Sequence, residues 1–265
     1  MKNINISVGI LISTYNWPKA LDCVLFSLQQ QTRQADEILI ADDGSGKETE
    51  AVIRKYQGVF NIPVKHVWHE DKGFRKSTIL NKAMQQAASD YIIQIDGDII
   101  LHRRFVEDHV KNARAARFVQ GSRVLLDDAR TREALGQKRC KFHFFGKGIN
   151  NRLNALRIPF LSALIKADPE SSHNIKACNL AFWKNDYIAV NGYDNLFTGW
   201  GYEDHEFAAR LINSGVKKER LKLAAVCYHL NHNINSKHFT DSNERIYHET
   251  LLSKRRMSAN GLAQI

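Results

Sequence analysis

Four apolar runs separated by helix-forming segments occupy the first hundred residues and leave few folds open. "INISVGILIS" reads as a buried strand, and Pro18 then opens a helix in which Leu21, Val24, Leu25 and Leu28 recur at helical spacing. "DEILIADDGS" is a second buried strand running into a polar, glycine-containing loop. The series continues with the helix "KETEAVIRKYQ", the strand "IPVKHVWHE", the helix "KSTILNKAMQQAAS" and a fourth strand, "DYIIQIDGD". Strands that are apolar throughout must be covered on both faces, and intervening helices supply that cover. The pattern predicts an α/β fold around a mostly parallel central sheet.

Beyond residue 101 the alternation weakens. A helix over roughly 104–116 and a strand "RFVQGSRVLL" precede a basic, aromatic-dotted stretch at 138–168 that suggests no element. Regularity returns with the strand "IKACNLAFWK", a short helix "NDYIAVNG", a helix at 203–214 and the strand "LKLAAVCYHL". The division this suggests is one domain over 1–240, with a first half at 1–100 and a second at 101–240. A basic, amphipathic tail at 241–265, helical at its start, follows.

Charge is unevenly placed. The net +10 falls within residues 101–166, which hold 15 Lys and Arg against 5 Asp and Glu; the rest balances, 23 against 23. Such a segment suits a surface facing phosphates, whether lipid headgroups, a phosphorylated substrate or nucleic acid, or a solvated face with no partner. No apolar run approaches the ~20 residues needed to cross a bilayer. Cys23, Cys140, Cys178 and Cys227 are scattered with no CxxC pair, which favours a reducing compartment and a cytoplasmic protein.

In a parallel α/β sheet, ligands bind beyond the carboxyl ends of the strands. Unusual polar residues collect there: Ser13, Tyr15 and Asn16 in "STYN"; Asp42 and Asp43 in "DDGS"; Gly73, Arg75 and Lys76 in "KGFRKS"; Asp96 and Asp98 in "DGD". Turn and cap chemistry explains the first two sets equally well. The paired aspartates of "DGD" would repel each other unless a cation or donors offset them, and hard oxygen ligands at this spacing suit Mg²⁺ or Mn²⁺. No G-x-x-x-x-G-K-[ST] or G-x-G-x-x-G stretch is present, which disfavours an NTPase and a nicotinamide dehydrogenase.

The ordered set "ISTYNWPKALDCVLFSLQQQT", "EILIADDGS", "DYIIQIDGDI" and "NGYDNLFTGWGYEDHEFAARLINSG" resembles the family 2 inverting glycosyltransferases of GT-A (Rossmann-like) fold. The last segment resembles the subgroup with a galactosyltransferase-type C-terminal region, as in bacterial chondroitin-polymerase-like enzymes. The likeness covers about 1–100 and 175–232.

That resemblance implies roles. Residues 1–100 become the nucleotide-binding half, and 101–240 the acceptor and metal half. Ser13, Tyr15, Asn16, Asp43, Gly73, Arg75 and Asp96 fall to the nucleotide sugar, with Asp43 accepting from uracil N3–H and Arg75 near the diphosphate. Asp98 and His229 become metal ligands for Mn²⁺ or Mg²⁺, with His232 the rival histidine. Asp204 is the implied catalytic base, ionised at an ordinary pKa near ~4, and Trp200, Glu203 and Asn179 fall to the acceptor. His205 and Glu206 are left as bystanders.

The implied activity is metal-dependent, inverting transfer of a hexose or N-acetylhexosamine from a UDP-sugar to a glycan or lipid-linked acceptor, in bacterial surface polysaccharide or lipopolysaccharide synthesis. Two other classes stay open: a sugar-nucleotide nucleotidyltransferase and a non-catalytic glycan-binding module. Phe142, His143, Phe144 and Phe145 could stack on bases, but no nucleic-acid partner is expected. Instead, the basic segment and Lys254, Arg255 and Arg256 are expected to rest on the inner face of the plasma membrane.

Overall fold

The computed structural model describes residues 6–162, 164–165, 167–232 and 240–265. The first half follows the expected alternation: β1 (Val8–Thr14), α1 (Pro18–Gln29), β2 (Glu37–Asp42), α2 (Lys47–Gln57), β3 (Val64–Trp68), α3 (Lys76–Gln85) and β4 (Tyr91–Asp96). Next come β5 (Ile99–Leu101), α4 (Phe105–Asn112), β6 (Arg117–Gln120), β7 (Val124–Leu126), α5 (Asp128–Gln137) and β8 (Ile149–Asn150). A 3₁₀ turn at Arg152–Ala155 and the short α6 (Pro159–Ser162) lead to β9 (Asn179–Trp183), α7 (Lys184–Ala189) and α8 (Glu203–Asn213). β10 (Lys217–Arg220), β11 (Cys227–His229) and α9 (Thr240–Ser253) complete the chain, with a last 3₁₀ turn at Leu262–Gln264.

Seven strands form one sheet in the order β10-β6-β9-β4-β1-β2-β3. β1 pairs in parallel with β2 and β4, β2 with β3, and β10 with β6; β9 alone runs antiparallel, between β4 and β6. The sheet is therefore mostly parallel, as expected, and β9 joins the two halves of the chain into one sheet. Burial on both faces follows the period of two along each strand. Ile10, Ile12, Ile38, Ile40, Ile93 and Ile95 face α1, α2 and α4 in one cluster, while Leu11, Leu39 and Ile92 face α3, α7 and α8 in the other.

Two expected strands divide. "RFVQGSRVLL" splits into β6, in the large sheet, and β7, in a second sheet of order β5-β11-β7-β8. The break falls at Gly121, whose N–H donates to the Asn179 carbonyl at 2.8 Å and whose site would place a Cβ 2.2 Å from the Asn179 side chain. Only Cys227–His229 of "LKLAAVCYHL" is strand, because Leu223 and Ala225 adopt positive φ (58° and 45°), which interrupts extended backbone. The 240–265 segment packs on the domain: Tyr202 Oη donates to Glu244 at 2.8 Å, Thr250 Oγ1 to Glu206 at 3.0 Å, and the Asn195 N–H to the Asn260 carbonyl at 2.7 Å.

Candidate active site

Ser13 and Asp96 are register partners at the adjoining ends of β1 and β4. Ser13 Oγ donates to Asp96 Oδ1 at 2.8 Å, and Lys76 Nζ, from the first turn of α3, donates to the same oxygen at 2.7 Å. Burial alone would raise the Asp96 carboxyl, but Lys76 and the Ser13 hydroxyl hold it below the usual carboxylate range. Burial opposes the Lys76 charge in turn, and Asp96, Asp204 and Glu203 together overcome it and raise the ammonium pKa.

Glu203 and Asp204 enter from the first turn of α8, where negative charge suits the helix dipole. Gly201 (φ 117°) and Tyr202 (φ 66°) turn the chain sharply into that helix. Gly201 is required by its backbone angle rather than by crowding, since the nearest atom to an added Cβ lies 4.0 Å away. Asp204 Oδ2 accepts the Ala177 N–H at 2.8 Å, whereas Oδ1 is buried with no hydrogen-bond partner among the described residues. Glu203 Oε2 accepts the Gly201 N–H at 3.0 Å. Burial and the adjacent Asp204 charge push the Glu203 carboxyl up to about 7. Burial also raises Asp204, against the pull of Lys76. The fold thus departs from the ordinary carboxylate expected at position 204.

Lys76, Asp96, Arg123, Trp200, Glu203 and Asp204 line one pocket of about 320 Å³, a size within the ~300–1,000 Å³ usual for small-molecule sites. Trp200, 42% exposed, stands at its rim. Beside it, Asp43 lies buried with His69 Nε2 at 2.6 Å from Oδ1 and the Arg75 N–H donating to Oδ2 at 2.9 Å. Both carboxylate oxygens keep further acceptor capacity. Asn16 braces the same rim, accepting the Gly46 N–H at 3.0 Å, and Tyr15 Oη donates to Asp71 at 2.8 Å. Gly73 (φ 83°) shapes the loop before α3.

Three further ligand-type side chains meet at Asp98. Antiparallel pairing of β11 with β5 sets His229 opposite Ile99, and the Leu230 N–H donates to the Asp98 carbonyl at 3.1 Å. His229 Nε2 and His232 Nε2 lie 3.6 and 3.2 Å from Asp98 Oδ2, and one ligand atom from each residue falls within 4.8 Å of the others. Asp98 Oδ1 is buried without a hydrogen-bond partner among the described residues. Burial lowers the His229 pKa, favouring the neutral ring that binds metal. One carboxylate and two imidazoles fit a divalent cation, and both histidines raised by the sequence belong to the cluster.

Two assignments change. The Arg75 guanidinium turns to the Glu70 carbonyl, and its Nε is buried without a partner among the described residues; Lys76 is the cation that reaches Asp96. Asn179 is a scaffold residue rather than an acceptor contact. It is buried at β9, its amide donating to the Ser122 and Ala225 carbonyls at 2.8 and 3.1 Å and its Oδ1 lying 2.9 Å from His109. Sequence reasoning missed Arg123, which reaches Cys178 Sγ at 3.3 Å and lies beside Asp96 and Asp98. The signal available was Gly121 inside an apparent strand.

The mostly parallel sheet with its acid-lined rim has the GT-A fold, and solved structures of that fold align along most of the chain. A mannosyltransferase from Pyrobaculum calidifontis, solved with GDP-Man and Mn²⁺, aligns with TM-score 0.61 at 17% identity over 96% of this chain and 64% of that one. Staphylococcus aureus TarS aligns with TM-score 0.64 at 15% identity, over 93% and 40%. The chain belongs to Glycosyl transferase family 2, whose profile matches residues 9–168, and residues 165–233 match the N-terminal domain of galactosyltransferase.

Among curated relatives, Escherichia coli chondroitin synthase is 25% identical over 84% of this chain. A validoxylamine A glucosyltransferase of Streptomyces hygroscopicus is 27% identical over 79%. The chain spans 34% of the former's length and 52% of the latter's.

Proposed function

We propose that this chain transfers a hexose or N-acetylhexosamine from a UDP-sugar to a hydroxyl of a glycan or lipid-linked acceptor, with inversion, in bacterial surface polysaccharide or lipopolysaccharide synthesis. The observation that carries the reading is Asp204 Oδ1, a buried carboxylate oxygen without a hydrogen-bond partner among the described residues, in the pocket that also holds Asp96 and Lys76. The polysaccharide and glucosyl activities named for the sequence relatives support it. So do UDP-GlcNAc in a TarS structure and Mn²⁺ in the mannosyltransferase structure, both of the same fold.

Asp98, His229 and His232 would hold the divalent cation, which neutralises charge on the departing diphosphate when bound. Ser13 and Lys76 fix Asp96 for the donor, and Asp43 presents acceptor oxygens to the nucleobase N–H. Asp204 Oδ1 takes the proton of the acceptor hydroxyl as its oxygen attacks the anomeric carbon from the face opposite the diphosphate. The raised pKa makes Asp204 a stronger base than an exposed aspartate, and the Lys76 charge favours its ionised form. Attack on that face inverts an α-linked donor to a β-linkage and needs no covalent enzyme intermediate.

The test is transfer from UDP-sugars with Mn²⁺ by wild type and Asp204→Asn. The variant should lose about 10²–10⁴-fold in kcat and still bind UDP. Unchanged transfer by the variant would remove Asp204 from the role of base.

A further inference from the structure

We propose that residues 141–162 and Leu164 form a docking surface for an anionic lipid bilayer, set beside the active-site pocket. Residues 134–167 contain seven Lys and Arg and no Asp or Glu. Three of these cations are spent internally: Lys138 on Asp22, Arg139 on Glu133 and Arg157 on Asp108. Lys141, Lys147 and Arg152 are exposed and form no ion pair among the described residues.

The same stretch carries large apolar side chains turned to water. Phe145 is 88% exposed, Phe160 79%, Leu164 75% and Leu153 71%; elsewhere among the described residues only Leu252 exceeds 70%. Local structure holds them out. Phe145 stands edge-on against Phe144 at 4.9 Å between ring centroids. The Arg152 guanidinium donates to the Phe144 carbonyl at 3.0 Å, tying that tip to the 3₁₀ turn that carries Leu153. Phe160 lies in α6, and the Leu164 N–H donates to the Leu161 carbonyl at 3.1 Å.

Exposed Phe and Leu among unpaired Lys and Arg match the chemistry of a bilayer interface. The apolar groups leave water for the acyl boundary while the cations meet lipid phosphates. A second copy would bring the same positive charge against itself across a two-fold interface. Nucleic acid would use the cations and the Phe rings but gain nothing from Leu153 and Leu164.

Placement gives the surface a purpose. Asn154 Nδ2 donates to the Arg123 carbonyl at 2.9 Å, and Arg123 lines the pocket. An acceptor anchored in the same bilayer would be presented on that side of the site.

The test is flotation of the full chain with vesicles of equal parts phosphatidylcholine and phosphatidylglycerol, compared with phosphatidylcholine alone. Wild type should float with the anionic vesicles at low salt. A variant carrying Phe145→Ser, Leu153→Ser, Phe160→Ser and Leu164→Ser, and separately one carrying Lys141→Glu, Lys147→Glu and Arg152→Glu, should each lose about tenfold or more in vesicle binding. Both should keep the wild-type melting temperature to within a few degrees, which separates lost binding from lost folding. No flotation of wild type at low salt overturns the proposal, as does flotation unaffected by the serine variant. So does a wild-type dimer, or retention on single-stranded DNA, that the serine variant abolishes when neither protein floats. None of these readouts uses catalysis, so the proposal stands or falls apart from the glycosyl-transfer reading.

Discussion

Lys76 Nζ lies 2.7 Å from Asp96 Oδ1, and that single ammonium serves three carboxylates, because its charge also acts on Glu203 and Asp204. It couples the end of β4 to the start of α8, segments more than one hundred residues apart. Lys76→Met should therefore lower kcat/KM and move the acidic limb of its pH profile upward by about one unit or more, since Asp204 loses the cation that favours its charged form. Lys76→Arg should restore part of the activity and return the limb towards wild type. A lowered rate with an unmoved limb would make Lys76 a donor contact only.

Asp98 and the two histidines predict a metal response that the donor residues do not. Calorimetry of UDP binding should show Mn²⁺-dependent affinity in wild type, lost in Asp98→Ala and weakened about tenfold or more in His229→Ala and in His232→Ala. Metal-free UDP binding should be unchanged in all three. If one histidine variant binds Mn²⁺ and UDP normally, the other alone completes the shell. Affinity should fall in acid, where imidazoles protonate and cease to be ligands.

Strand ends and helix starts were legible because their chemistry is local: continuous apolar strands, Pro18 at a helix start, and the acids of "DGD" and "GYEDHE". The nearness of Ser13, Asp96 and Asp98 follows from parallel topology, which places the ends of β1 and β4 on one rim. Asp204 reaches that rim from the start of α8, held by the Ala177 N–H just ahead of antiparallel β9. What sequence could not supply is side-chain direction. Arg75 and Lys76 are neighbours, and only the α3 start decides that Lys76 faces Asp96. Asn179 is invisible as a scaffold residue until β6 and β11 come close enough for Ser122 and Ala225 to claim its amide. Raised carboxyl pKa values are equally non-local, since burial by distant segments causes them.

Glu203 gives a stability prediction with a definite sign. Its carboxyl is raised to about 7 in the folded chain, against ~4.3 for an unperturbed glutamate. The folded state therefore holds a proton that the unfolded state has released, and stability falls as pH rises between those values. Glu203→Gln removes the titration. Its melting temperature should exceed wild type at pH 8 and match it near pH 4. An offset equal at both pH values would point to packing instead of proton linkage.

Glu206, two positions after the base, makes the last prediction. Arg210 and Glu206 are fully buried and joined by two hydrogen bonds of 2.7 Å, while Arg210 Nη1 donates to the Val190 and Gly192 carbonyls at 2.6 Å each. Glu206 also accepts from Thr250 Oγ1, which fastens α9 to α8. Far from being a bystander, it balances the charge of a buried guanidinium. Glu206→Ala leaves that charge uncompensated and should cost ~3–5 kcal/mol in urea unfolding. The double variant Glu206→Leu, Arg210→Met should recover much of the loss, because no buried charge remains, but not all, because two carbonyls then lack their donor. A single-variant cost below ~1 kcal/mol would mean that water reaches Arg210 and that the pair is not closed as the α8–α9 contact requires.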